Sequence, residues 1–233
     1  MKNKITAVIL AGGRGERMQA ELPKQFLFLA GQEIITRTLK CFEKSPIVSE
    51  IIIVCFEDYI DKTKALIDEN NIRKVSKVIP GGKTRQESSF LGVKSCSSDT
   101  EIVLIHDAVR PFVSEKIIKD VSEGAAVTGA AAPVIDMTDT VVSKKDDLVG
   151  SIPDRTGLKR IQTPQAFRYD MIRKAHQMAK DKGTTDATDD CTLVLNMPGS
   201  VKAVGGSAYN LKITDGIDLE TAEALLASGK ADL

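Results

Sequence analysis

Apolar and polar positions change rhythm along the 233-residue chain, and the rhythm predicts its elements. Ile5 to Ala11 is a short apolar run ending in Gly12-Gly13-Arg14-Gly15, the pattern of a buried strand entering a glycine-rich turn. Ile35, Leu39 and Phe42 recur at helical spacing until Ser45-Pro46 closes the segment. Glu50 to Cys55 predicts a second buried strand, and Asp58 to Asn70 a helix with a polar face. A third strand, Val75 to Ile79, stops at Pro80-Gly81-Gly82. Thr84 to Ser95 reads as helix, and Ile102 to Ile105 as a fourth strand ending at His106-Asp107. Strand and helix alternating in this way predict an α/β fold: a mostly parallel sheet with helices on both faces.

After Ala130 the rhythm changes. Asp136 to Arg160 alternates polar with β-branched residues (Thr138, Thr140, Val142) among charge clusters, which predicts an exposed hairpin or arm. Helical pattern returns at Tyr169 to Ala179 and near Asp189 to Leu195. A strand at Val201 to Val204 and a last helix, expected to be capped by Asp218, complete the chain. With no repeat, low-complexity tract or Pro/Gly linker, residues 1–233 are expected to form one domain with an arm inserted at about 136–160.

Charge and composition remove several function classes. Lys plus Arg and Asp plus Glu number 32 each, so no overall basic field recruits nucleic acid or anionic lipid. Aromatic residues, at 4%, are too few for a base-stacking platform. Cys41, Cys55, Cys96 and Cys191 are widely spaced and only two histidines are present, which argues against structural zinc and for buried, reduced thiols. Met-Lys-Asn-Lys-Ile-Thr runs into a strand without the pattern of a signal peptide, and no apolar run approaches the roughly 18 residues that span a bilayer. A cytoplasmic protein without membrane or nucleic-acid partners is the expectation.

In open parallel sheets, ligands bind beyond the carboxyl ends of the strands. Three chemistry-bearing loops fall there, after the first, third and fourth predicted strands. The first, Leu10 to Met18 followed by Pro23-Lys24-Gln25-Phe26, offers glycine amides that approach phosphate closely, with Arg17 and Lys24 as cations. It is not a dinucleotide fingerprint, because Met18 stands where the third glycine belongs. Gly82-Lys83-Thr84 likewise imitates the end of a P-loop, but Lys77 occupies the earlier glycine position. This second loop, Gly81 to Ser88, combines small backbone, Arg85 and a hydroxyl at a helix start. Both glycine-rich loops are also what unliganded strand-to-helix turns contain. In the third, His106-Asp107-Ala-Val-Arg110-Pro111, Asp107 is placed to hold Mg²⁺ on triphosphate oxygens, whereas His106 reads as a hydrogen-bonded strand-end residue. No Ser–His–Asp or Cys–His arrangement suggests itself. None is needed where a phosphate monoester attacks an α-phosphorus, since charge neutralisation and in-line positioning carry that reaction.

Over nearly its whole length the chain resembles the 2-C-methyl-D-erythritol 4-phosphate cytidylyltransferases of the non-mevalonate isoprenoid pathway. The matching blocks are the three loops just described and Thr138-Asp-Thr140, Asp154-Arg155, Gln162-Thr-Pro-Gln-Ala-Phe167, Thr188-Asp-Asp190 and Asn210-Leu-Lys-Ile-Thr214. The resemblance implies a single Rossmann-like nucleotidyltransferase domain that joins CTP to a polyol phosphate and releases pyrophosphate. It implies that Ala11, Gly12, Gly13, Gly82 and Ser88 surround the cytidine with Arg85 nearby, and that Arg17 and Lys24 bind the triphosphate. By the same likeness Asp107 coordinates Mg²⁺, with Arg110 beside it on the substrate side. Thr140, Arg155, Thr188 and Lys212 would hold the acceptor, Arg155 and Lys212 aiming its phosphate. The family's arm is exchanged across a homodimer, which suits the insertion at 136–160.

Two positions depart from the family pattern. Gly12 stands where these enzymes often have alanine, and Val109 where they often have a small residue; both variants resemble ribitol 5-phosphate cytidylyltransferases. Asp154-Arg155-Thr-Gly-Leu158 and Thr188-Asp-Asp190 match the methylerythritol enzymes on the acceptor side, so that acceptor is expected and ribitol 5-phosphate is the alternative. A non-catalytic nucleotide sensor is a third reading, opposed by the charge retained at Arg17, Lys24, Asp107 and Lys212.

Overall fold

A computed structural model describes residues 4–13 and 22–230. Strand β1 (Ile5–Ala11) is followed by a 3-10 turn over Lys24–Phe26, the short pair β2 (Phe28–Leu29) and β3 (Gln32–Glu33), and helix α1 (Ile34–Lys44). Then come β4 (Val48–Cys55), α2 (Ile60–Glu69), β5 (Val75–Pro80), α3 (Arg85–Ser95), β6 (Ile102–Asp107), α4 (Glu115–Thr128) and β7 (Ala130–Asp136). The rest comprises β8 (Ser143–Lys145), β9 (Leu148–Ser151), β10 (Lys159–Ile161), β11 (Gln165–Arg168), α5 (Tyr169–Asp181), α6 (Asp190–Leu195), β12 (Lys202–Gly205) and α7 (Gly216–Ala227).

Among the described residues, eight strands form one sheet in the order β10-β7-β11-β6-β1-β4-β5, with β12 also paired to β7. β1 lies between β4 and β6 and is parallel to both; β5 is parallel to β4 and β12 to β7. β11 runs antiparallel to β6 and β7, and β10 antiparallel to β7. The sheet is therefore mixed on one side and parallel at its centre. All six residues of β6 are buried, as expected of a strand covered on both faces.

The alternation of side chains along a strand divides the core into two layers. Ile5, Ala7, Ile9, Ile51, Ile53 and Leu104 pack with Leu39, Leu66 and Ile118, which puts α1, α2 and α4 on one face. Val8, Ile52, Val54, Val103 and Ile105 pack with Val93, Ile172 and Val194, which puts α3, α5 and α6 on the other. Gly92 lets α3 sit close to the sheet, since a Cβ there would lie 2.3 Å from Val8 Cγ1. A third cluster around Leu29, Phe112, Ile213 and Ala222 seats α7 and the carboxyl-terminal loop beside the head of the sheet.

Three expectations need correction. Helix α7 is capped by Asp215, not Asp218: the Asp215 carboxylate accepts from the Asp218 amide, and Asp218 reaches back to the Asp215 amide as the other half of a capping box. The arm is narrower than read. β8 and β9 form the isolated hairpin, whereas Lys159 and Arg160 belong to β10 of the main sheet. All four cysteines are free, but Cys41 is only half-buried, its Sγ turned toward the Arg37 and Pro111 carbonyls.

Candidate active site

At the carboxyl ends of β1, β5 and β6 the chain encloses a cleft of about 400 Å³. Its first wall is Ala11, Gly12 and Gly13 at the end of β1, with Lys24 opposite. Gln25 fixes this corner by donating from Nε2 to the Ala11 carbonyl at 2.6 Å. Arg17 lies outside the described residues.

The second wall is the entry to α3. Thr84 caps the helix by accepting from the Glu87 amide. The Gly82 amide donates to Ser88 Oγ at 3.0 Å, and that hydroxyl donates on to the Thr84 carbonyl at 2.9 Å. Gly82 is required here, because a Cβ would meet the Glu87 side chain at 2.2 Å while Glu87 Oε2 holds the Lys83 amide at 2.7 Å. Lys83, not anticipated from the sequence, adds a cation to this wall.

The floor is charged. Asp107, 8% exposed at the end of β6, meets Lys212 Nζ at 2.9 Å, Arg110 Nε at 3.6 Å and Arg85 Nε at 3.8 Å. Burial raises its pKa, but Lys212, Arg85 and Arg110 outweigh burial and hold the carboxyl well below the usual range, so it is ionised. Arg85 in turn donates from Nη1 to Asp190 Oδ2 at 2.7 Å. Burial alone would lower the Arg85 pKa; Asp190 and Asp107 reverse that and raise it. Arg110 lies behind the floor rather than on the cleft wall, its Nη1 donating to the Asn210 carbonyl at 2.8 Å.

His106 is fully buried, as a strand-end structural residue should be. Nδ1 lies 3.1 Å from Thr163 Oγ1 and Nε2 3.1 Å from the Arg110 carbonyl. Burial pushes its pKa down to about 4, leaving a neutral ring with both nitrogens engaged.

The structure thus brings Ala11, Gly12, Gly13, Lys24, Gly82, Arg85, Ser88, Asp107 and Lys212 to one cleft. It does not bring Thr140, Arg155 or Thr188 there. All three are exposed, and Arg155 donates to the Thr138 carbonyl within the arm at 2.8 Å. A Ser–His–Asp grouping that the sequence did not suggest does exist behind the cleft: Ser89, His176 and Asp190. Its chemistry is not that of a nucleophile, because the serine hydroxyl donates to the carboxylate at 2.6 Å and all three side chains are buried.

As a magnesium site, Asp107 supplies one ionised hard oxygen at the cleft. No cluster of three or more His, Cys, Asp or Glu suited to a metal occurs among the described residues. That donor set fits a cation whose remaining ligands are phosphate oxygens and water, the usual arrangement for Mg²⁺.

The architecture and the sequence both have close counterparts. The family model for 2-C-methyl-D-erythritol 4-phosphate cytidylyltransferase matches residues 5–228. Enzymes of that name from Clostridium botulinum (strain Langeland) and Clostridium perfringens (strain SM101) are 40% and 42% identical, covering 96% and 94% of this chain and 98% and 97% of their own. Among solved structures, 4-diphosphocytidyl-2C-methyl-D-erythritol synthase from Anaerococcus prevotii superposes with a TM-score of 0.84 at 30% identity, covering 97% of each chain. The Thermus thermophilus cytidylyltransferase gives 0.79 at 31%, covering 94% of this chain and 98% of its own. With a shared sheet and this level of identity from end to end, the chain belongs to the 2-C-methyl-D-erythritol 4-phosphate cytidylyltransferase family.

Proposed function

We propose that this enzyme transfers a cytidylyl group from CTP to 2-C-methyl-D-erythritol 4-phosphate. The products are pyrophosphate and 4-diphosphocytidyl-2-C-methyl-D-erythritol. The observation that carries this reading is a glycine-walled cleft whose floor sets Arg85 and Lys212 about one ionised carboxylate, backed by Arg110, with Lys24 on its wall. The acceptor phosphate attacks the α-phosphorus, and the bond to the pyrophosphate oxygen breaks in line. No protein base is required, which agrees with a neutral, doubly bonded His106. Lys24 and Lys212 hold phosphate charge in place, with Arg17 as a further cation from the same loop; preorganised charge of this kind is usually the largest catalytic contribution. Gly12, Gly13, Gly82 and Ser88 form the cytidine side.

Asp107 would hold Mg²⁺, which neutralises triphosphate charge when bound. Thr140 and Arg155 reach the acceptor in a homodimer, by exchange of the arm, and Thr188 completes that side. Support comes from the absence of Thr140 and Arg155 from the lining of their own cleft and from an arm exposing Val142, Leu148, Val149 and Ile152. The four relatives named above carry methylerythritol in their names, which favours this acceptor over ribitol 5-phosphate. The charge gathered at the cleft likewise favours catalysis over nucleotide sensing. A cytoplasmic location accords with soluble substrates; among the described residues no helix is long and apolar enough to cross a membrane. A pyrophosphate-release screen of four nucleoside triphosphates against both acceptors tests the assignment. Preference for CTP with the methylerythritol acceptor is expected, and higher kcat/KM with ribitol 5-phosphate would overturn it.

A further inference from the structure

We propose that Asp190 is a positioning residue for this reaction: it tethers Arg85 in the cleft wall and keeps that guanidinium from neutralising Asp107. The inference rests on the cleft being the CTP site. Its starting point is a buried polar group whose role the reaction itself does not explain. Asp190 is 1% exposed on the first turn of α6, too deep to touch a nucleotide. A buried carboxylate persists only where opposite charge and hydrogen bonds compensate its lost hydration. Here Oδ1 accepts from Ser89 at 2.6 Å and lies 3.5 Å from His176 Nε2, while Oδ2 accepts from Arg85 Nη1 at 2.7 Å. Phe90 stacks on the imidazole with ring centroids 5.1 Å apart, so the ring is fixed as well. Two rigid partners therefore aim the carboxylate, and the carboxylate aims the arginine.

The direction of aim matters because the two carboxylates that act most strongly on Arg85, Asp190 and Asp107, lie on different sides of its role. Its Nε is 3.8 Å from Asp107 Oδ1, beyond hydrogen-bond length, while Nη1 makes a short bond to Asp190. Without the charge at position 190, Asp107 is the strongest carboxylate left to the guanidinium, since Asp189, which also acts on Arg85, is held by Gln165 and the Cys191 amide. The guanidinium would close on Asp107, compete with Lys212 at 2.9 Å, and withdraw the oxygen offered to a cation at the triphosphate. Asp190 thus divides the labour of the floor. Lys212 serves Asp107, and Arg85 stays in the wall beside the nucleotide.

The experiment measures CTP affinity by calorimetry and steady-state kinetics with Mg²⁺ for the parent, Asp190→Asn, Arg85→Ala and the double variant. Asp190→Asn keeps the size of the side chain and removes its charge. Loss of a charge-assisted hydrogen bond predicts a CTP Kd and KM raised about tenfold or more, with a smaller change in kcat at saturating CTP and a higher Mg²⁺ requirement. In the Arg85→Ala background the same substitution should add nothing, which a merely structural role would not produce. Additive effects, or a folded Asp190→Asn protein binding CTP within about twofold of the parent, would overturn the proposal. If Asp190→Asn fails to fold, Ser89→Ala takes its place. That variant loosens the carboxylate without discharging it, and its smaller rise in CTP KM should also vanish in the Arg85→Ala background; persistence there counts against the tether. A parent that neither binds CTP nor releases pyrophosphate from it overturns the functional reading and the tether together. Parent turnover with an unaffected Asp190→Asn overturns the tether alone.

Discussion

Lys24 and His106 represent two kinds of residue at the head of the sheet, one lining the cleft and one facing only protein. Lys24→Ala should lower kcat by roughly 10²-fold while the fold survives, because it removes fixed charge where negative charge develops. A Lys24→Ala enzyme with near-normal kcat would take Lys24 out of the mechanism. His106 should appear instead in the acid limb of stability. Its pKa in the fold is about 4 against an ordinary 6.5, so between those values the unfolded chain binds a proton that the native protein does not. Stability should fall as pH drops through that window, by at most about 3 kcal/mol. Asp107 acts lower down: its depressed pKa stabilises the fold above the ordinary carboxylate range, and that contribution is lost only as pH falls below it. Urea midpoints from pH 7 to pH 4 test this, and a His106→Asn protein that keeps the full slope would sink the assignment. At this scale the glycine loops, Lys24 and Asp107 were legible because each belongs to a short motif at a strand end, and Lys212 only through the family resemblance. The sequence did not reveal Asp190 as the partner of Arg85. The two are 105 residues apart, and nothing local to either position announces the pair.

Helix α3 shows how one element serves both core and cleft. Its first turn holds Gly82 and Ser88 together, and its Gly92 rests against Val8. Thr84→Ala removes the capping oxygen and should cost about 1 kcal/mol in urea unfolding, with a raised CTP KM because the Gly82–Ser88 contact is built on that turn. Gly92→Ala should cost about 1–3 kcal/mol through overpacking against the sheet, leaving CTP binding nearly unchanged. Equal losses of CTP affinity in the two variants would contradict this separation. The helix itself was legible from Thr84 to Ser95, as were the strands around it, since buried parallel strands write themselves as apolar runs between breakers. The mixed side of the sheet was not legible. β7 opens with Ala130, Ala131 and Ala132, which carry no strand signal, and β10 and β11 are three- and four-residue pieces defined by their partners. The capping residue of α7 was misplaced for a related reason. Asp215 and Asp218 are both plausible caps in sequence, and only the reciprocal bonds distinguish them.

For the whole molecule, Arg155, which bonds within the arm and does not line its own cleft, gives the exchanged dimer a direct test. Lys24→Ala and Arg155→Ala, each expected to be severely impaired alone, would be co-expressed so that mixed dimers form. If Arg155 serves the neighbouring site, one site of each mixed dimer carries both defects and the other carries none. Random pairing through a two-fold interface then restores up to about a quarter of normal sites. No recovery, with mixed dimers present, rules the exchange out. The order in which the chain is made has a further consequence. Every strand from β1 to β6 lies within the first 107 residues, and these leave the ribosome together. Lys212, whose Nζ lies 2.9 Å from Asp107, follows those strands in the chain. A nascent chain can therefore bring β1, β4, β5 and β6 together while Asp107, on the floor of the cleft, still waits for the lysine that lies 2.9 Å from it in the finished fold.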